Sequence, residues 1–209
     1  MITLYQKDNL RLLVGKVALE PNFSDRDGNR VAKVRLEDRN GDKVDIYFKN
    51  DPSAGKMLAD RVERDKIAAG KWISVLVSMK EDNSASATGI EFKYAGLWNF
   101  KGDEDKETNI IVGHSIRPER AKPELFKVSM AADIYEGGAN QTRWYGISFF
   151  DDEKTLFSKV AERVLAVEGR KSVPCAIRCS KLKTSESNGK TYYNLVGYRV
   201  EPMYSQQAA

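Results

Sequence analysis

Cysteine and histidine are nearly missing: 209 residues hold two cysteines and a single histidine. That is too few for a Cys/His zinc site, and it argues against a disulfide framework. Cys175 and Cys179 lie four apart on an expected strand, so they share a face about 13 Å apart at ~3.3 Å per residue. That is beyond disulfide reach, and reduced, partly buried thiols are expected. No apolar run approaches the roughly 20 residues that span a bilayer. The first residues, MITLYQKDNLRLL, lack the basic head and long apolar stretch of a secretory signal. No membrane association and a cytoplasmic location are therefore expected. Walker A and GxGxxG sequences are absent too, so no phosphate-cradling loop is expected. Asp25-Arg-Asp-Gly-Asn29 has the wrong spacing for an EF-hand and no Glu at the twelfth position, and reads as a hairpin turn. His114 follows Gly113, where a strand should bend, and has no nucleophile beside it; it reads as a turn or edge residue. No metal, no cofactor and no enzymatic activity are expected.

What is present is an ordinary globular composition, 41% apolar and 31% charged, with an unevenly spread charge. Residues 170–199 hold seven bases (Arg170, Lys171, Arg178, Lys181, Lys183, Lys190, Arg199) and one acid, Glu186. The whole chain carries +4 and this stretch carries +6, so the remainder carries −2. A local excess of this kind is what an anionic partner reads, although a solvated basic strand face has the same composition.

The chain repeats itself. LLVGK (12–16) matches IIVGH (110–114), and Val31-Ala-Lys-Val34 matches Leu125-Phe-Lys-Val128. Val44-Asp-Ile-Tyr-Phe48 matches Tyr145-Gly-Ile-Ser-Phe149, and AAGKWISVLV (68–77) matches VEGRKSVPCAI (167–177). Four weak matches in one order, at a nearly constant offset, argue for a duplicated domain. The polar, acidic KGDEDKET (101–108) reads as the linker or a long turn between residues 1–100 and 109–204, and 205–209 (SQQAA) as a frayed tail.

Each half reads as three strands, a helix and two strands. In the first, LRLLVGKVAL, VAKVRLED and KVDIYFK are strands, with Asn40-Gly41 as a hairpin turn. A helical stripe follows through Leu58, Val62 and Ile67, then WISVLVSM and ATGIEFKYAGLW close the half. In the second, NIIVGHSI, FKVSMAADIY and TRWYGISFF are strands, with a turn at Gly137-Gly138. Asp151-Asp152 offers a helix N-cap. Leu156, Val160 and Val164 form one apolar stripe of that helix, beside Phe157, Ala161 and Leu165. Two strands around Asn188-Gly189 finish the half. This order is that of the OB-fold, so the expected architecture is all-β with one helix per domain: two tandem OB-fold five-stranded Greek-key barrels. Gly15 and Gly113 sit where the first strand must bend to close each barrel.

Aromatic rings interleaved with bases mark the candidate interface. Trp144 and Tyr145 follow Arg143, Phe149 and Phe150 end the same strand, and Tyr192 and Tyr193 follow Lys190. Alternation puts Trp144, Gly146, Ser148 and Phe150 on one face, with Tyr145, Ile147 and Phe149 on the core face. Flat rings for stacking and cations along a backbone track are what single-stranded nucleic acid needs.

The second half resembles the bacterial single-stranded DNA-binding protein family. NIIVGHSIRPE, KVSMAADIY, TRWYGISFFDDEKTLFSKVAERVLAVEGRKSVPCAIRCSKLKT and SNGKTYYNLVGY carry the resemblance, over about residues 108–203. It implies an OB-fold that wraps single-stranded DNA with little sequence preference, protecting it in replication or recombination. Trp144 matches the family's third-strand Trp, Phe150 the Phe six positions on, and Tyr135 falls near an aromatic at the end of the second strand. Where the family often has a Trp between strands four and five, this chain has Lys181, Lys183 and Lys190.

The resemblance also implies departures. The family assembles four single OB-folds, so a homodimer of this chain would give the same four. SQQAA replaces the family's acidic, Phe-containing tip, which puts recruitment of partner enzymes through that tip in doubt. A phage, plasmid or otherwise specialised version fits both departures. The first half matches less well. It keeps Gly15, Tyr47, Phe48, Trp72, Phe92, Tyr94 and Trp98 but has Lys49 in the place of Phe150. It is expected to bind DNA less well, through Lys33, Arg35 and Trp72, or to serve in dimerisation. Arg178 and the neighbouring lysines complete the expected DNA-binding set. Stacking platforms read RNA as well. The competing reading, from another class, is a tandem OB protein-interaction adaptor in a replication or recombination assembly.

Overall fold

The computed structural model describes residues 2–80, 85–93, 96–101, 107–136, 139–180 and 182–203. The chain divides into two compact units, Met1–Tyr94 and Ala95–Tyr204. In the first, β1 (Ile2–Lys7), β2 (Leu10–Val17), β3 (Asn22–Arg26), β4 (Asn29–Glu37) and β5 (Lys43–Asp51) run into a single 3-10 turn. A two-residue strand β6 (Lys56–Met57), helix α1 (Leu58–Arg64), β7 (Trp72–Met79) and β8 (Ala85–Lys93) follow. The second holds β9 (Gly96–Lys101), β10 (Glu107–Lys122), β11 (Leu125–Glu136), β12 (Ala139–Phe150), α2 (Phe157–Leu165), β13 (Ser172–Cys179), β14 (Lys183–Ser187) and β15 (Lys190–Pro202).

Five strands close a barrel in each unit. In the first, β2 pairs β4 and β7, β4 pairs β5, and β7 pairs β8, all antiparallel, while β5 and β8 close the ring in parallel. In the second, β10 pairs β11 and β13, β11 pairs β12, and β13 pairs β15, with β12 and β15 as the parallel closure. One helix lies between the third and fourth barrel strands each time. That pairing order is the OB-fold, in tandem.

The alternation in the sequence decides which face is core. Ala32, Val34 and Leu36 of β4 and Val44, Ile46 and Phe48 of β5 pack inside the first barrel. Phe126, Val128 and Met130 of β11 and Tyr145, Ile147 and Phe149 of β12 pack inside the second. Barrel closure needs a close approach where β2 crosses from β7 to β4. A Cβ on Gly15 would come within 3.1 Å of the Glu37 carbonyl oxygen, so a side chain there would press the two strands apart. The hairpins turn where short polar pairs predict. Asp27 and Gly28 both take positive φ (51° and 74°), as do Asn188 and Gly189 (51° and 69°), the requirement of a two-residue type I′ loop. The Gly137-Gly138 turn and the SQQAA tail lie outside the described residues.

Each helix is capped from the end of the third barrel strand or the residue just after it. Asn50 Oδ1 accepts from the Ala59 and Asp60 amides at 2.8 and 3.3 Å. Asp151 Oδ1 accepts from the Ser158 amide at 2.7 Å. Asp151 therefore caps α2 from five residues upstream of the flanking residue, Leu156, because the Asp151–Leu156 bridge folds the strand end back over the helix start.

Two features differ from the sequence expectation. The stretch written as one closing strand, ATGIEFKYAGLW, is two: β8 belongs to the first sheet, whereas β9 pairs Leu97 with Ile111 and Trp98 with Ile110 in the second. The division between units thus precedes Trp98, and the expected linker falls at a β9–β10 hairpin whose residues 102–106 lie outside the described set. Trp98 is buried, and its strand's pairing with β10 commits an apparently terminal segment to the second unit. In α2 the core takes Ala161 and Leu165, while Leu156 and Val160 stay exposed. The helix begins only at Phe157, so Leu156 precedes its first turn.

Candidate nucleic-acid interface

The parallel closure of the second barrel builds one continuous outward surface. Tyr145, Gly146, Ile147 and Ser148 of β12 sit beside Tyr193, Asn194, Leu195 and Val196 of β15. Outward positions alternate, so Trp144, Gly146, Ser148 and Phe150 share a face with Tyr192, Asn194 and Val196. The β14–β15 hairpin extends that face, with Lys183 opposite Asn194 and Ser187 opposite Lys190. On the other side, Lys127 lies opposite Ser148 and Ala131 opposite Trp144.

Three rings stand out of this surface: Trp144 is 53% exposed, Tyr192 47% and Phe150 46%. Among the described residues, no cation and no second ring lies against any of them. Gly146 and Ser148, which lie between Trp144 and Phe150 along β12, line an open groove of about 240 Å³ together with Arg117, Glu119, Lys127 and Asn194. Gly146 keeps it open. A Cβ there would come within 3.0 Å of Asn194 Oδ1 and take the floor of the groove.

The expected site residues divide by strand. Trp144, Phe150, Tyr192, Lys183 and Lys190 meet on β12, β14 and β15. Arg143 lies on the opposite face of β12, its guanidinium 4.3 Å from the Tyr193 ring, which in turn packs on Tyr145 at 5.8 Å. Arg178 sits on β13, half-buried, over the Tyr198 ring at 5.7 Å and with its Nε buried and unpaired. The Tyr135 backbone lies one residue before the end of β11, opposite Asn140; its side chain, and all of Lys181, lie outside the described residues. Lys127, Arg117 and Asn194 escaped the sequence reading. Strand register alone brings them to the rings, although Lys127 alternates with buried Phe126 and Val128 in the sequence itself.

The corresponding face of the first unit is chemically different. Lys43, Asp45, Tyr47 and Lys49 stand on β5 where Trp144, Gly146, Ser148 and Phe150 stand on β12. Arg35 is opposite Asp45 and Lys33 opposite Tyr47. The Arg35 guanidinium donates to Asp45 through Nε at 2.6 Å and a terminal nitrogen at 2.9 Å, and Lys33 Nζ lies 2.7 Å from the same carboxylate. The Arg35 bonds, with Lys33 adding to them, hold the Asp45 carboxyl at about 2, well below the usual carboxylate range. Both expected cations of this face therefore already have an anion. Trp72 is half-buried on β7, opposite Lys16, whose other strand partner is Glu37 of β4.

The two cysteines are buried in the second core, and burial pushes the Cys175 thiol up to about 12 and the Cys179 thiol up as well. Neither is a nucleophile at neutral pH.

No protein-family model matches the chain, and no curated protein matches it. Among solved structures, the wild-type single-stranded DNA binding protein from Thermus aquaticus aligns over 100% of this chain and 97% of that one, at a TM-score of 0.32 and 15% identity. A likeness that low carries no argument, so the tandem OB-fold assignment rests on the strand pairings above. No helix among the described residues is long and apolar enough to cross a membrane.

Proposed function

We propose that the chain binds single-stranded DNA with little sequence preference through the outer face of the second barrel, and protects it during replication or recombination. One observation carries this reading: three uncovered rings, Trp144, Tyr192 and Phe150, share a strand face with Lys127, Lys183 and Lys190. A large exposed aromatic surface needs an occupant. Bases supply flat faces to stack, worth ~1–3 kcal/mol each, and the lysines supply phosphate contacts whose strength falls with salt. A homodimer would bring four such barrels together, and mass measurement in solution tests that.

The direct test is titration of the full chain with oligo-dT. Trp98 is buried and Trp72 half-buried, so quenching should come from Trp144 and vanish in Trp144→Phe while binding persists. Affinity should fall steeply with added salt. Unchanged fluorescence and mobility with oligo-dT at low salt would overturn the reading, and a stable partner complex without DNA affinity would establish the adaptor instead.

A further inference from the structure

We infer that the outward face of β3, β4 and β5 in the first unit is a second contact of a different kind: it holds the phosphodiester backbone of single-stranded DNA by charge and stacks no bases. This rests on the DNA-binding reading of the second unit. Tyr47 is the one ring among the outward residues of β5. Arg26, Lys33 and Lys80 place their charged ends 5.7, 5.9 and 6.0 Å from its centre. Those cations gain from the ring's electron-rich faces and, in doing so, occupy the surface a base would need. Phe23 on β3 is opposite buried Ala32 and so belongs to the other face, where the Arg30 guanidinium covers it 4.7 Å from its ring. Arg30 is itself fixed by Asp60 and Glu63 of α1 at 2.9 and 2.8 Å. No uncovered ring is left on this face among the described residues.

Charge, by contrast, is in excess. Arg26, Lys33 and Lys80 gather at Tyr47 and Lys33 and Arg35 at Asp45, while the other carboxylate on this side of β4, Glu37, is opposite Lys43. Asp45 takes Arg35 and Lys33, while Arg26 and Lys80 have no carboxylate partner among the described residues. Both are exposed and both converge on Tyr47, at opposite ends of the chain's path around the barrel: Arg26 ends β3 and Lys80 follows β7. Two exposed cations that share one aromatic neighbour suit the phosphates of a strand passing over it, and Lys43 and Lys49 continue the row along β5.

The test is a salt titration of oligo-dT binding to the full chain carrying Arg26→Gln and Lys80→Gln. Each phosphate contact on a single strand contributes about 0.7 to the slope of log affinity against log salt, so the slope should fall by about 1.4. The amplitude of Trp144 quenching should stay as in the parent. Lys56→Gln with Lys71→Gln removes the same charge from exposed positions off this face and should leave the slope alone. Asp45→Asn should act in the opposite sense, steepening the slope as Lys33 and Arg35 are released. The inference is overturned if the Arg26/Lys80 variant matches the parent or the Lys56/Lys71 control. It is equally overturned if slope and quenching fall together, since rings and charges would then form one site. A parent chain that binds no oligo-dT at all overturns the reading beneath it.

Discussion

The two barrels share a frame and differ in what they wear. β5 and β12 occupy the same place in the fold, and their inward residues are interchangeable in kind: Val44, Ile46 and Phe48 against Tyr145, Ile147 and Phe149. Their outward residues are opposites. Asp45 draws Lys33 and Arg35 into an ion cluster, and the only ring there, Tyr47, lies under cations. Gly146 leaves a groove, and Trp144 and Phe150 stand uncovered on the same strand. Alternation lets one set of positions preserve the barrel while the other set changes its partner. The fold therefore says little about binding, and the outward residues of a single strand say most of it.

That contrast can be broken most forcefully at its rings. Trp144→Ala should weaken oligo-dT binding by about 1–3 kcal/mol with the salt slope nearly unchanged, whereas Tyr47→Ala should move affinity far less. Equal losses in the two variants, measured by titration at one salt concentration, would erase the distinction between the units. Next comes a transplant. Gly146→Asp puts the first unit's carboxylate into the second unit's groove, beside Lys127 and Arg117. The expected outcome is a salt slope lower by about 0.7, as one cation is diverted from phosphate. A slope that stays put would show that the groove cations do not touch the strand.

The shared frame is tested by its caps. Asn50→Ala and Asp151→Ala should each destabilise their own unit by about 1 kcal/mol, read by thermal unfolding. A cost confined to one of them would mean that the duplicated device has lost its role in the other unit. The smallest effect concerns acid. Asp45 is held at about 2 against an ordinary value of 3.8, so its ionised form is favoured in the folded state. Its contribution is present above about pH 4 and is lost as pH falls toward about 2. Asp45→Asn should flatten that part of the stability profile of the first unit, and no matching change is expected at Gly146, which has nothing to titrate.

Much of this was legible in the residues. The period-two pattern of VAKVRL and TRWYGISFF gives both the strands and their inward faces, and Asp27-Gly28 and Asn188-Gly189 mark turns because few other pairs tolerate their backbone angles. Three things needed coordinates. Trp98 looks like the end of the first half until its pairing with Ile110 is seen. The α2 helix carries two adjacent apolar stripes, and only the barrel's curvature selects Ala161 and Leu165 over Leu156 and Val160. Arg35 and Asp45 neutralise each other because the register of the Asn40-Gly41 hairpin sets them opposite, a fact that composition cannot carry. The same dependence on register hid Lys127 and Asn194 from the candidate site.

Cys175 and Cys179 are the chain's only thiols, and both lie inside the second barrel. Sealed and held in the protonated form, they can meet an alkylating reagent only when that barrel opens. Their labelling rate is therefore a clock for one unit in a chain of two, running without any introduced probe. Ligand that seats on the second barrel should slow the clock, and ligand confined to the first should leave it ticking at its own pace.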